Sequence, residues 1–367
     1  MGASRRKLRC AVLITGGAGF VGTNLAARWL ANGERVRIFD SLVRPGVEEN
    51  IAWLQDHHPG GVDFVQADVR NASAVAAAMQ GIEHVVHLAA QVAVTRSLVD
   101  PTFDFEVNAL GTLNVLEAAR RCPHPPSLVF TSTNKVYGEL AGLRVQADGD
   151  RYMPLDERVR AGGIDEARCL DFHSPYGCSK GAAEQYVLDY CRSFGLKTTV
   201  FRMSCIYGPH QHGNEDQGWV AHMARSAMAG EPITIYGDGK QVRDVLFVED
   251  LVDAFTLVRR NIGKASGRAF NIGGGQGNTV SLLELIRRLE ELLERRVELT
   301  FDVWRVGDQR YYVSDTSKFG AVTGWRARTD VEQGLLALCG WFRTKERSAW
   351  PARASVAAAA LPIGARG

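Results

Sequence analysis

Short apolar runs alternate with longer amphipathic stretches through the first two-thirds of the chain. Leu8 to Ile14 is an apolar run of strand length. From Gly22 to Asn32, Leu25, Ala26, Trp29 and Leu30 fall on one helical face. Further runs at Arg35–Asp40, Val62–Ala67, His84–Leu88, Ser127–Ser132 and Lys197–Arg202 read as strands. Ala72–Met79, Val107–Arg121 and Tyr176–Phe194 read as helices between them. Strand and helix in regular succession predict an α/β fold, a Rossmann-type doubly wound parallel sheet with helices on both faces.

The texture changes after Tyr207-Gly208-Pro209. Gly, His, Asn, Asp and Gln dominate residues 208 to 218, and a helix is expected from Trp219 to Ala229. Val245–Arg260 and Ala269–Ile272 read as returns to the sheet, and Leu282–Leu293 as an amphipathic helix. Residues 8–207 with 241–274 are therefore expected to form the dinucleotide-binding domain. Residues 208–240 with 275–345 are expected to form a smaller α/β substrate-binding lobe, and 346–367 a disordered tail.

Composition adds exclusions. A chain of 367 residues that is 46% hydrophobic and 23% charged is globular, with room for two lobes. A net charge of +2 offers no electrostatic case for nucleic acid. Arg5, Arg6, Lys7 and Arg9 ahead of Cys10–Ile14 imitate a secretory signal, but Gly16, Gly17, Gly19 and Gly22 interrupt the apolar segment. No run approaches the roughly 18 apolar residues of a membrane span. The seven scattered cysteines form no CxxC pair, so neither a disulfide framework nor a thiolate metal site is expected. His210-Gln211-His212 lacks a third ligand, and no metal is assigned. Reduced thiols suggest the cytoplasm.

Two motifs carry the chemistry. Gly17-x-Gly19-x-x-Gly22, preceded by Gly16, follows the first strand. It would let the backbone approach a pyrophosphate, with Phe20 and Val21 opening the helix behind it. Asp40 ends the second strand, about 20 residues on, where a carboxylate bonds a ribose diol and repels a 2′-phosphate; NAD is thus expected over NADP. Asp68 and Val69 end the third strand and could meet the adenine. Leu88, Ala89 and Ala90 end the fourth, where small residues would admit the cofactor. The second motif is Tyr176-x-x-x-Lys180, two side chains one helical turn apart. An ammonium beside a phenol is expected to lower the phenol's pKa, making it a base for a sugar hydroxyl.

Together with Asn108-x-x-Gly111-Thr112-x-Asn114, Tyr137-Gly138, Tyr207-Gly208-Pro209 and Arg243-Asp244-Val245, these motifs resemble the extended short-chain dehydrogenase/reductase family over residues 10 to 342. Members of that family modify nucleotide sugars. The resemblance implies NAD, a nucleotide-diphosphate sugar as substrate, and a homodimer formed through the helices at Val107–Arg121 and after Tyr176. It makes Tyr176 the base, Lys180 its electrostatic partner and ribose ligand, and Thr133 the hydroxyl that orients the sugar. It adds Asn108 to the cofactor site. It puts Gln91, Thr133, Asn134, Lys135, Tyr236, Arg243 and Arg310 on the substrate, with the two arginines gripping the diphosphate. Dehydratases of this family tend to carry Asp-Glu where this chain has Asn134-Lys135, which disfavours elimination of water. Strings such as Ser132–Gly138 and Asp171–Ala183 narrow the resemblance to epimerases that invert C2 of a CDP-linked sugar through a transient ketosugar. C4 or C2 epimerisation of a UDP-, dTDP- or GDP-hexose, a net NAD-dependent reductase, and a non-catalytic NAD-sensing protein are the alternatives.

Overall fold

The computed structural model describes residues 11–305 and 307–357. Residues 8–10, expected to start the first strand, and 358–367, expected as tail, lie outside the described residues. The nucleotide-binding half runs β1 (Val12–Thr15), α1 (Phe20–Ala31), β2 (Val36–Asp40), α2 (Val47–His57), β3 (Val62–Gln66), α3 (Ala72–Ala78) and β4 (His84–His87). It continues through α4 (Val94–Val99), α5 (Pro101–Phe105), a π turn (Glu106–Leu110), α6 (Gly111–Arg120) and β5 (Ser127–Thr133). A 3₁₀ turn (Asn134–Tyr137) leads to the hairpin β6 (Val145–Asp148) and β7 (Arg151–Pro154), then α7 (Glu157–Gly162), α8 (Ser174–Phe194) and β8 (Thr198–Met203). The remainder is β9 (Cys205–Tyr207), α9 (Trp219–Ala229), β10 (Ile233–Tyr236), β11 (Val242–Phe247), α10 (Val248–Arg260), α11 (Ile262–Ala265) and β12 (Arg268–Ile272). After these come β13 (Thr279–Ser281), α12 (Leu282–Leu293), β14 (Leu299–Asp302), β15 (Tyr311–Tyr312), α13 (Ser317–Thr323) and α14 (Val331–Ala357).

Seven strands pair in parallel in the order β12-β8-β5-β4-β1-β2-β3. The chain reverses its direction of growth between β1 and β4, which opens a crevice at the carboxyl ends of those strands. Strand periodicity assigns the faces. Val12 and Ile14 join the core with Trp29, Val36, Ile38 and Phe255, whereas Leu13 packs on the other face with Val75, Leu116 and Val187. Burying each such side chain contributes about 1.5–3 kcal/mol, and residues 12–14 are fully buried on both sides.

A second, four-stranded sheet runs β13-β11-β15, with β9 on the far side of β11. It packs with α9, α12 and α14 around Tyr207, Phe247, Leu285 and Leu335. Ser281 caps α12 in a reciprocal capping box with Glu284.

Several expectations need correction. Val245–Arg260 does not return to the large sheet: Val242–Phe247 is the central strand of the second sheet, and 248–260 is a helix packed on α1. β9 also belongs to the second sheet, so the crossover falls at Ser204 rather than after Tyr207. Between the expected elements stand α2, whose Val47, Ile51 and Leu54 are its buried stripe, and the β6–β7 hairpin. α14 carries the chain as helix through Ala357, into the segment expected as a tail.

Candidate active site

The glycine turn sits at the head of the crevice. Gly16 has φ +70°, and a Cβ there would lie 2.6 Å from Ala89 N, so β1 and the segment after β4 approach too closely for any other residue. A Cβ on Gly22 would lie 2.5 Å from Gly17 Cα. α1 begins at Phe20 with no side-chain cap on Gly19, so its first N–H groups face the crevice unpaired by side chains. Asp40 Oδ2 accepts from Ala18 N and Oδ1 from Leu42 N, both at 3.0 Å. One carboxylate thus locks the turn while each oxygen keeps a further lone pair. Burial raises its pKa against those hydrogen bonds and the charge of Arg44, a lining residue the sequence reading did not single out.

A cavity of about 440 Å³ extends from this turn to the reacting pair. Its walls include Gly16, Gly19, Phe20, Val21, Gly22, Asp40, Asp68, Val69, Leu88, Ala89 and Ala90, and at the far end Gln91, Tyr176 and Lys180. Tyr176 and Lys180 project from the first turns of α8, whose Pro175 presets the helix start. Both are buried, with the Thr133 side chain beside the Tyr176 phenol and the Thr133 hydroxyl donating to Asn134 Oδ1 at 3.3 Å. Lys180 Nζ stands 4.2 Å from the centre of the Phe130 ring. The expected lowering of the phenol is not what this pocket produces. Burial pushes Tyr176 up to about 12 against the Thr133 hydroxyl beside it, and pulls Lys180 down to about 7 against the charges of Asp104 and Glu184. Desolvation outweighs the one-turn spacing.

Residues 12–273 match the family described as NAD dependent epimerase/dehydratase. The chain belongs to that family. It is 42% identical over 337 residues to CDP-paratose 2-epimerase of Salmonella typhi, covering 90% of this chain and 98% of that protein. The structure of UDP-glucose 4-epimerase from Thermus thermophilus, solved with NAD, matches with a TM-score of 0.75 at 33% identity, covering 90% and 98% of the two chains. That of UDP-glucose 4-epimerase from Thermotoga maritima, solved with UDP-glucose, matches with a TM-score of 0.78 at 29% identity, covering 91% and 99%.

NAD is the cofactor of this epimerase/dehydratase family member, and the crevice fits it. A side chain at Gly16 or Gly22 would fill the space, the exposed start of α1 suits a pyrophosphate, and Asp40 stands at the end of β2 where a ribose would lie. Asp68 lines the same wall, held by Arg70 at 2.9 Å. Burial alone would raise its pKa, but Arg70 lowers it below the usual range. Asn108 does not line the cavity. It is buried behind Gln91, accepting from Gln91 N and donating to Gln91 O, Asp104 and Ser179. Gln91 reaches the wall, but its side-chain amide is committed to Ala93 and Asp104 rather than free for a sugar. Asp104, fully buried on α5, was not legible as a site residue: it lies outside the motifs. The loop with His210, Gln211 and His212 walls the cofactor cavity, with His210 against Trp53 at 4.4 Å between ring centroids.

The residues expected on the substrate side gather around the chain's 304–310 segment. Asn134 Nδ2 donates to Gln309 Oε1 at 3.2 Å, and Lys135 Nζ donates to Gly307 O at 3.0 Å. Lys135 Nζ is also 3.7 Å from Asp308, which accepts from Arg243 at 2.6 Å. Burial pulls Lys135 below the usual lysine range while Asp308 opposes the fall. Arg310, expected on the diphosphate, is exposed, over the rings of Tyr152 and Trp304. Arg305 is the cation that faces Tyr236, 3.9 Å from its ring centre, and it also donates to Glu215 O. Its guanidinium, five residues before the arginine chosen from sequence, carries no local signal that separates the two. Cys205 accepts from Trp219 Nε1 at 3.3 Å.

Proposed function

We propose that this family member is a nucleotide-sugar epimerase that inverts C2 of a CDP-linked sugar of the CDP-paratose type with no net redox change. The observation that carries the reading is the catalytic turn itself. Thr133 stands beside Tyr176, and the next two residues are an amide bound to Gln309 and an ammonium bound to Gly307 O. Neither can remove a carbon-bound proton and expel a hydroxyl, as elimination requires. The similarity to CDP-paratose 2-epimerase supports the choice of carbon and nucleotide.

Thr133 holds the sugar hydroxyl against Tyr176, and Tyr176 as phenolate accepts its proton. Lys180, ionised beside it, stabilises that phenolate and donates to the cofactor ribose. A bound NAD would supply the hydride acceptor and donor for the sugar carbon, and its cationic ring would favour the phenolate. Tyr176 gives the proton back after the sugar has turned its other face. Arg243 is buried beside Lys135 with Asp308 as their shared anion, two cations to one carboxylate. That surplus suits a diphosphate. Tyr236 beneath Arg305 suits a nucleobase edge.

The test is product NMR after incubation in deuterated water with CDP-paratose and a panel of CDP-, UDP-, GDP- and dTDP-hexoses. Inversion at C2 with no solvent deuterium supports the reading. Inversion at C4, or turnover confined to UDP-sugars, overturns it in favour of a 4-epimerase. Exposed Phe105, Leu110, Tyr186 and Phe194 on the α5–α6 and α8 surface support a homodimer, which light scattering would read. The free cysteines among the described residues support a cytoplasmic setting.

A further inference from the structure

Asp104 is fully buried and has no cation within ion-pair distance among the described residues. Its Oδ1 accepts from Gln91 Nε2 at 2.7 Å and from Asn108 Nδ2 at 3.1 Å, and its Oδ2 accepts from Ser179 Oγ at 2.5 Å. The π turn at Glu106–Leu110 directly follows α5, and Asp104 and Asn108 bond each other across the junction. Burial raises the Asp104 pKa, but three donors and no competing acceptor suit a carboxylate rather than a carboxylic acid. Two of the donors adjoin the reacting end of the cavity, with Asn108 behind Gln91. Gln91 follows Ala89 and Ala90 in its wall, and Ser179 precedes Lys180 on α8.

The surrounding charges isolate the relationship. From α8, Tyr176, Lys180 and Glu184 face this region, but Glu184 is spent on Arg202 of β8 in a buried bidentate pair. His87, from β4, is hydrogen-bonded to Thr15 and Thr112 and neutral. Arg96, from α4, lies over the Phe103 ring. Asp104 is left as the anion not neutralised by a guanidinium near the Lys180 ammonium.

We propose that Asp104 is a positioning residue for the reacting pair: its buried charge, held by Gln91, Asn108 and Ser179, keeps Lys180 protonated and sets the pH at which Tyr176 ionises. Asp104 raises the proton affinity of both Tyr176 and Lys180, so its removal lowers both. This rests on the reading of Tyr176 and Lys180 as the reacting pair, and the two can fail separately. Undiminished turnover in Tyr176→Phe would sink that reading, whereas the present one is read from pH.

The experiment is the pH profile of turnover with CDP-paratose in the NAD-bound enzyme, for wild type, Asp104→Asn and Ser179→Ala. Ionisation of Tyr176 is read in parallel, without substrate, as the ultraviolet phenolate difference between each protein and its Tyr176→Phe counterpart. In Asp104→Asn both limbs of the profile and the phenolate midpoint should move to lower pH by at least about one unit, the effect of one nearby charge at an effective dielectric near 20. Ser179→Ala keeps the charge and should leave both limbs within about 0.3 unit, with a lower plateau. Should Asp104→Asn not fold, Asp104→Ser removes the same charge and carries the same expectation. A reduced plateau with unmoved limbs in the Asp104 variants, or equal displacement in Ser179→Ala, would show a merely structural carboxylate and overturn the proposal.

Discussion

Arg243 Nη2 lies 2.6 Å from Asp308 Oδ1, and the same oxygen is 3.7 Å from Lys135 Nζ. The contact joins the central strand of the second sheet to the loop before β15 and to the catalytic turn after β5. One carboxylate therefore stands between the two cations assigned to the substrate. Burial alone would raise its pKa, but the two cations hold it below the usual range.

Asp308→Asn leaves Arg243 buried with its charge uncompensated. Loss of a buried partner costs about 3–5 kcal/mol, less here because Asp308 keeps some solvent, so about 2–4 kcal/mol is expected in urea denaturation. Added CDP supplies a replacement anion and should restore part of the loss. Equal stability of variant and wild type would show that the ion pair is not what holds this loop.

Tyr176→Phe and Lys180→Met remove the proposed acid–base group and its proposed electrostatic partner. Each should lower kcat by about 10²- to 10⁴-fold. Tyr176→Phe should retain NAD on gel filtration, because the glycine turn and Asp40 are untouched. Loss of NAD from Tyr176→Phe would assign that residue to binding instead.

Gly22→Ala inserts a Cβ 2.5 Å from Gly17 Cα, where only backbone can give way. The variant should lose NAD on purification and about 1–3 kcal/mol of stability. Gly33, whose Cβ would meet nothing, is the control: Gly33→Asn should keep NAD in full.

His84 and His87 are fully buried and pushed down to about 3, mainly by burial, with Arg259 adding at His84 and Lys180 at His87. The native protein keeps both neutral, while the unfolded chain takes up protons below about pH 6.5. Their contribution is therefore complete above that pH and is lost as pH falls from about 6.5 towards 3. Each adds a slope of up to about 1.4 kcal/mol per pH unit in that window. Urea midpoints measured from about pH 7.5 down to 4.5 should fall, and less steeply in His84→Gln. An identical slope in that variant would remove His84 from the account.

The α/β alternation, the glycine turn before α1, Asp40 at the end of β2, and the Tyr176 and Lys180 pair on one turn of α8 were all legible in the residue order. Each is local: strand period, helical period or a fixed offset within one element decides it. The sequence also disfavoured elimination chemistry at Asn134-Lys135, because side-chain type alone removes the carboxylates.

What those two residues do instead was decided by tertiary structure. Asn134 meets Gln309 across 175 residues of chain, and Lys135 meets Gly307 across 172; separations of that kind leave no periodic trace. The same holds for Arg305 over Tyr236, and for Asp104, which lies among ordinary helix residues until α5 folds it behind Gln91 and Ser179. The phenol makes the point energetically. Spacing places an ammonium one turn from Tyr176, but only the closed fold removes water from both, and desolvation then sets the phenol near 12 and the amine near 7.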